Sequence, residues 1–90
     1  MRKIFKYQVV GSPGDTVAVE TVPGAVIVHF GMQGGRFFFW AEHEVDREKE
    51  RFHRRVFCIH GTGWEIEAAA QYRGTVQDGG FVWHLHEMGH

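Results

Sequence analysis

Cysteine occurs once, at Cys58, proline only twice, and neither sign of charge prevails: ten lysines and arginines face eleven aspartates and glutamates, a formal net charge of -1. One thiol forbids an intramolecular disulfide and any zinc site built on several thiolates, so stability must come from a packed core, and a reducing compartment is expected. The even charge removes the broad basic field that drives non-specific nucleic-acid binding; any charged partner is met locally. No stretch nears the roughly 20 apolar residues of a membrane span. The opening Met1-Arg2-Lys3-Ile4-Phe5-Lys6-Tyr7 is basic but lacks a signal peptide's apolar run. Neither membrane insertion nor standard secretion is expected.

A chain of 90 residues supports one core, so a single β-rich domain over 1–90 is expected. Eight phenylalanines, three tryptophans and two tyrosines supply large apolar area per ordered residue. Turn signals recur at short intervals: Ser12-Pro13-Gly14-Asp15, Pro23-Gly24, Gln33-Gly34-Gly35, Gly61-Thr62-Gly63 and Asp78-Gly79-Gly80.

The segments between them alternate as strands do. Phe5, Tyr7 and Val9 share one side of the first, and Val17 and Val19 one side of the second. Residues 25–32 set Val26, Val28, Phe30 and Met32 against Ala25, Ile27 and His29, and Phe37-Phe38-Phe39-Trp40 follows Gly34-Gly35 as a hairpin partner. Because Phe37 and Phe39 point opposite to Phe38 and Trp40, that strand asks for apolar cover on both faces, from a second layer or a partner. Residues 81–87 put Phe81, Trp83 and Leu85 inward, leaving Val82, His84 and His86 on the other side. The charged stretch 44–50 reads as a solvated loop before a strand at 51–60, with a short helix at 44–53 as the alternative, and 65–71 reads as a turn of helix or loop. These patterns predict an all-β fold, a small antiparallel sandwich or partly open barrel of six to seven strands. Its expected core is Phe5, Tyr7, Val17, Val28, Phe30, Phe39, Val56, Phe81, Trp83 and Leu85.

Several motifs carry a resemblance: Lys3-Ile4-Phe5-Lys6-Tyr7, Pro23-Gly24-Ala25, Gln33-x-Gly35 with Trp40-Ala41, Gly61-Thr62-Gly63, Tyr72-x-Gly74-Thr75-Val76-Gln77 and Phe81-Val82-Trp83-His84-Leu85. In this order, over nearly the whole chain, they resemble a family of small phage and prophage proteins, a domain of unknown function. The resemblance implies a viral or mobile-element origin, a compact β-rich domain and residence in the cytoplasm of an infected bacterial host. It brings no catalytic residues with it. The chain departs from the pattern after Leu85 and in the more charged 44–50 stretch.

The chemical signals are individually weak. His86-Glu87-Met88-Gly89-His90 spells HExxH, but that zinc chemistry needs a helix, and the residues leading in alternate as a strand. His84 and His86 share a strand face at the spacing by which sheets offer two imidazoles to zinc, with His29, His53, His60 and Glu87 as candidates for a third ligand. Cys58 beside His60 suggests a thiolate nucleophile, although a lone cysteine between Phe57 and Ile59 reads as a small buried hydrophobe. Gly61-Thr62-Gly63 lacks the further glycine and lysine of a phosphate loop. Arg51, Arg54 and Arg55 concentrate positive charge, but Glu44, Asp46, Glu48 and Glu50 interleave it, which disfavours a nucleic-acid surface. No catalytic constellation is expected.

The leading expectation is thus a non-enzymatic accessory protein that binds a host or phage protein through Phe38, Trp40, Arg51, Arg54 and Arg55, without a cofactor. Self-association into a homo-oligomer is a further expectation. The competing readings are a zinc or small-ligand protein using the His84/His86 face and a minor virion or assembly component.

Overall fold

β-Branched and aromatic side chains favour a pleated backbone, and here they fill the stretches between glycine turns. The computed structural model, which describes residues 1–89, places seven strands there. They are β1 (Arg2–Val9), β2 (Thr16–Thr21), β3 (Val26–Gln33), β4 (Arg36–Glu44), β5 (His53–Gly61), β6 (Gln71–Asp78) and β7 (Phe81–Glu87). Two antiparallel sheets result, β1-β4-β3 and β2-β5-β7-β6, laid face to face as a sandwich. Strand β3 runs beside β6, and β1 beside β2, without closing a barrel. Among the described residues, no helix is long and apolar enough to cross a membrane.

Alternation decides which side chains enter the interior. Val9, Phe37, Phe39 and Phe30 from one sheet meet Val19, Phe57, Ile59 and Leu85 from the other. Phe39 and Phe57 lie at the centre, their rings 4.9 Å apart. The β3–β4 hairpin turns on Gly34 and Gly35, whose φ values of 57° and 75° suit a two-residue turn between Gln33 and Arg36.

Four expectations need correction. In β3 the pairing with β4 shifts between Ile27 and His29, so one extra residue reverses the alternation. Ile27, Phe30 and Met32 therefore face inward, whereas Val26 and Val28 stand outside, 64% and 50% exposed. Val56 yields its core position to Phe57, which is fully enclosed. Phe81 keeps its inward parity but lies at the open end of the sandwich, 62% exposed and stacked on Trp83 at 5.5 Å. The charged stretch closes into one 3-10 turn at Val45–Lys49, and β5 begins at His53. Phe5, Tyr7, Val17 and Trp83 are half-buried.

β5 and β6 both pair antiparallel with β7, so they run parallel to each other, and residues 62–70 must cross β7 to join them. The inner face of β7 is filled by Leu85 and Trp83, so the crossover takes the outer face. It does so as irregular chain, the loop alternative of the two sequence readings.

The sheets approach closely where Gly74, at the β6 irregularity, meets Phe30 of β3. A Cβ on Gly74 would lie 2.8 Å from the Phe30 Cβ, an atom that cannot swing aside. Gly74→Ala is therefore expected to destabilise the fold by about 1–3 kcal/mol, the cost of overpacking. Urea denaturation of the two proteins checks this, with Gly80→Ala, where the Cβ meets open space, as a neutral control.

Candidate functional site

β4 is the middle strand of its sheet, and its inward residues Phe37, Phe39, Ala41 and His43 are buried against the second layer. The outward set, Phe38, Trp40 and Glu42, has no layer over it. Cross-strand pairing brings Ile4, Lys6 and Gln8 of β1 and Val26, His29 and Gly31 of β3 onto this same surface. The Lys6 ammonium lies 4.6 Å from the centre of the Phe38 ring. The His29 and Trp40 rings are 5.2 Å apart, and those of Phe38 and Trp40 are 6.3 Å apart. Gly31 makes room for this cluster, since a Cβ there would stand 2.9 Å from His29 Nε2. At one end Arg2 pairs with Glu42, and the Met1 amine lies 3.5 Å from Glu44. The result is an aromatic centre beside paired charges.

The arginines expected to share this surface lie elsewhere. Arg54 is exposed on β5, in the other sheet, opposite Glu20 of β2, and Arg51 is exposed just before that strand begins. Arg55 turns inward and donates through Nε and Nη2 to the two Glu87 oxygens at 2.8 and 2.7 Å, and through Nη1 to the Ala25 carbonyl at 2.6 Å. Arg73 adds a third bond to Glu87 at 3.0 Å. The hydrogen bond from Arg55 above all, with help from Arg73 and against the effect of burial, holds the Glu87 carboxyl below its usual range. Arg55 is thus a structural cation.

The histidines lie under the crossover rather than idle in solvent. Cys58, His60, His84 and His86 form a two-by-two array on the outer face of β5 and β7, since Cys58 pairs with His86 and His60 with His84. His60 and His86 are more than nine-tenths buried, and their Nδ1 atoms lie 3.1 Å apart. His84 bonds through Nε2 to Thr62 and through Nδ1 to Thr75, each at 2.9 Å. Both nitrogens of His84 are therefore engaged with hydroxyls, and no group of three metal-ligating side chains converges among the described residues. His86 and Glu87 point to opposite faces of a strand, unlike the two in a helical HExxH; His90 lies outside the described residues. The Cys58 thiol is pushed up, first by burial and then by the charges of Asp15 and Glu67, so it is not an activated nucleophile. Gly61-Thr62-Gly63 is a plain turn, closed by the bond from Trp64 N to Gly61 O.

One further cluster gave no signal in the sequence. Buried His43 bonds through Nε2 to Glu48 at 2.9 Å, and Lys3 lies 3.5 Å from the same carboxylate. The bond to His43, followed by Lys3, lowers the Glu48 pKa. Among the described residues, His43 Nδ1 has no hydrogen-bond partner. The contact spans the end of β4 and the 3-10 turn, and only the turn's geometry brings the pair together. The Arg73–Glu87 contact was hidden likewise, because it depends on the β6 irregularity at Tyr72/Gly74.

Removing the charge of Glu87 orphans two guanidinium groups, one of them almost enclosed. Glu87→Gln is expected to cost about 3 kcal/mol, near the lower end for breaking a buried ionic group. The folded pKa of Glu87 lies below its unfolded value, so the unfolded chain binds more protons on acidification. This stabilisation is complete above the ordinary carboxylate range and fades as pH falls through the folded value. Denaturation midpoints between pH 7 and pH 3 should fall less steeply for Glu87→Gln than for the natural chain.

No curated protein and no solved structure matches the chain. A family match does span every strand, the aromatic face and the histidine array alike. Over residues 1–90, the chain belongs to the family described as Domain of unknown function (DUF7352).

Proposed function

We propose that this protein is a non-enzymatic binding module and that the outer face of the β1-β4-β3 sheet is its contact surface for another protein. One observation carries the reading: Phe38 and Trp40 sit at the centre of a sheet face over which the chain lays no second layer, with Ile4, Val26 and Val28 exposed around them. Large aromatic side chains at the centre of a patch, ringed by polar groups, are the usual anatomy of a protein–protein interface. The surrounding charges suit a protein better than a nucleic acid. Arg2 pairs with Glu42, and Arg54 lies on β5 of the other sheet. The sequence resemblance to small phage proteins supports a viral accessory role in the cytoplasm of an infected bacterium, with a host or phage protein as partner. Self-association through the same face is the homo-oligomeric form of this reading.

Phe38→Ser and Trp40→Ser, singly and together, test it. Light scattering and affinity capture from infected cells are expected to show a defined complex with the natural chain. The double variant should weaken it at least about a hundredfold, a loss of at least about 2.7 kcal/mol, as for an interface hot spot. Its thermal midpoint should stay close to the natural one, because neither side chain enters the sandwich. A complex that survives the double substitution contradicts the proposal.

A further inference from the structure

We propose that the 62–70 crossover is an acid-released strap, seated at neutral pH over the His60–His86 pair and lifted when His86 gains a proton, while the sandwich beneath stays folded. This inference is independent of the β1-β4-β3 face.

The strap has few attachments to the sheet. Thr62 bonds to His84 at one end, where Trp64 also packs edge-on against Trp83 at 5.9 Å. At the other end Ala69 lies against Gly89. Between these ends the side chains of Glu65, Ile66, Glu67 and Ala68 are exposed, and the backbone bond from Ala70 N to Glu67 O is internal to the strap. A segment with few buried apolar contacts opens before the strands it covers.

Beneath it the His60 and His86 rings meet edge to face at 4.8 Å, joined through their Nδ1 atoms. Such a bond needs one ring to donate and the other to accept. With His60 as the donor, a proton on His86 Nδ1 sets two N–H groups face to face with no acceptor, and it places a charge in a buried site. Among the described residues, no carboxylate is hydrogen-bonded to either ring, and His60 and His86 bond to each other. β5 contributes the Cys58 thiol, β7 contributes His84, and β6 contributes the Tyr72 ring edge at 5.9 Å. The carboxylates of Asp15, in the β1–β2 loop, and of Glu67, in the strap, act on Cys58. Burial, then His60 and His84, push the His86 pKa down. His84 is held on both nitrogens by the Thr62 and Thr75 hydroxyls, which can donate or accept.

The sign follows from linkage. With the folded pKa of His86 depressed, the closed strap is fully favoured above the ordinary histidine range and loses stability as pH falls through the folded value.

Cys58 reports the opening, being the single thiol and lying beneath the cover. The probe is 4,4′-dithiodipyridine, which reacts with thiols in acid. Its rate with the full chain is divided by its rate with the urea-unfolded chain at the same pH. Between pH 7.5 and pH 5 this ratio is expected to rise, by up to about tenfold per pH unit for each proton taken up on opening. Over the same range, hydrogen exchange taken relative to the intrinsic rate at each pH should accelerate at residues 62–70 and stay slow in β4 and β5. His86→Phe removes the titrating partner and should flatten the profile. If that variant does not fold, the exchange pattern of the natural chain decides alone. A flat ratio, or exchange that accelerates equally in the strap and the central strands, overturns the proposal. So does one equivalent of zinc retained per chain and lost with His86→Phe, because the imidazoles would then serve a metal.

Discussion

A strand that is apolar on both faces cannot be satisfied by a fold of only two layers, and β4 is such a strand. Phe37, Phe39 and Ala41 take the interior, where they meet Phe57, Ile59 and Leu85. Phe38 and Trp40 are left on the outside by the same alternation. Moving the strand by one residue would only exchange the two sets. The chain softens the exposure locally, with Lys6 over Phe38, His29 against Trp40, and Gly31 leaving room between them. It does not cover the face.

The second sheet solves a different problem. Because β5 and β6 flank β7 and run parallel to each other, their link has to travel back across β7, and it takes the face opposite the core. That path encloses Cys58, His60 and His86, which a two-layer sandwich would otherwise leave in solvent. The imidazoles then satisfy one another and two threonine hydroxyls instead of water. One sheet thus presents an open aromatic face, and the other a polar face under a thin cover. At the end of the sandwich Arg55, Arg73 and Glu87 supply a partly buried ionic link between β3, β5, β6 and β7.

The seven strands, their turns and the inward parity of β1, β4 and β7 were legible because period-two alternation and glycine pairs are local signals. The misplacement of Val28 came from one unpaired residue in β3, which alternation alone does not reveal. Phe81 has the right parity and the wrong depth, since its place at the sandwich's open end is a property of the assembled sheets. Phe38 and Trp40 were readable as an outward aromatic pair. Alternation put Arg54 on the face opposite Arg55 but grouped Arg51 with Arg55, and the partner Glu87 required the β5–β7 register. The burial of His60 and His86 required knowing which way the 62–70 link crosses, and the pairing of His43 with Glu48 required the geometry of a single 3-10 turn. Local patterns therefore gave the elements and most of their faces, while the Arg55–Glu87 and His60–His86 contacts depended on non-local register.

The most direct test of the uncovered β4 face is hydroxyl-radical footprinting of the dilute chain, read residue by residue. The account predicts that Phe38 and Trp40 are modified readily while Phe37, Phe39 and Phe57 are spared, and that a bound partner suppresses the first pair selectively. Protection of Trp40 equal to that of Phe39 in the dilute, unpartnered chain would contradict it.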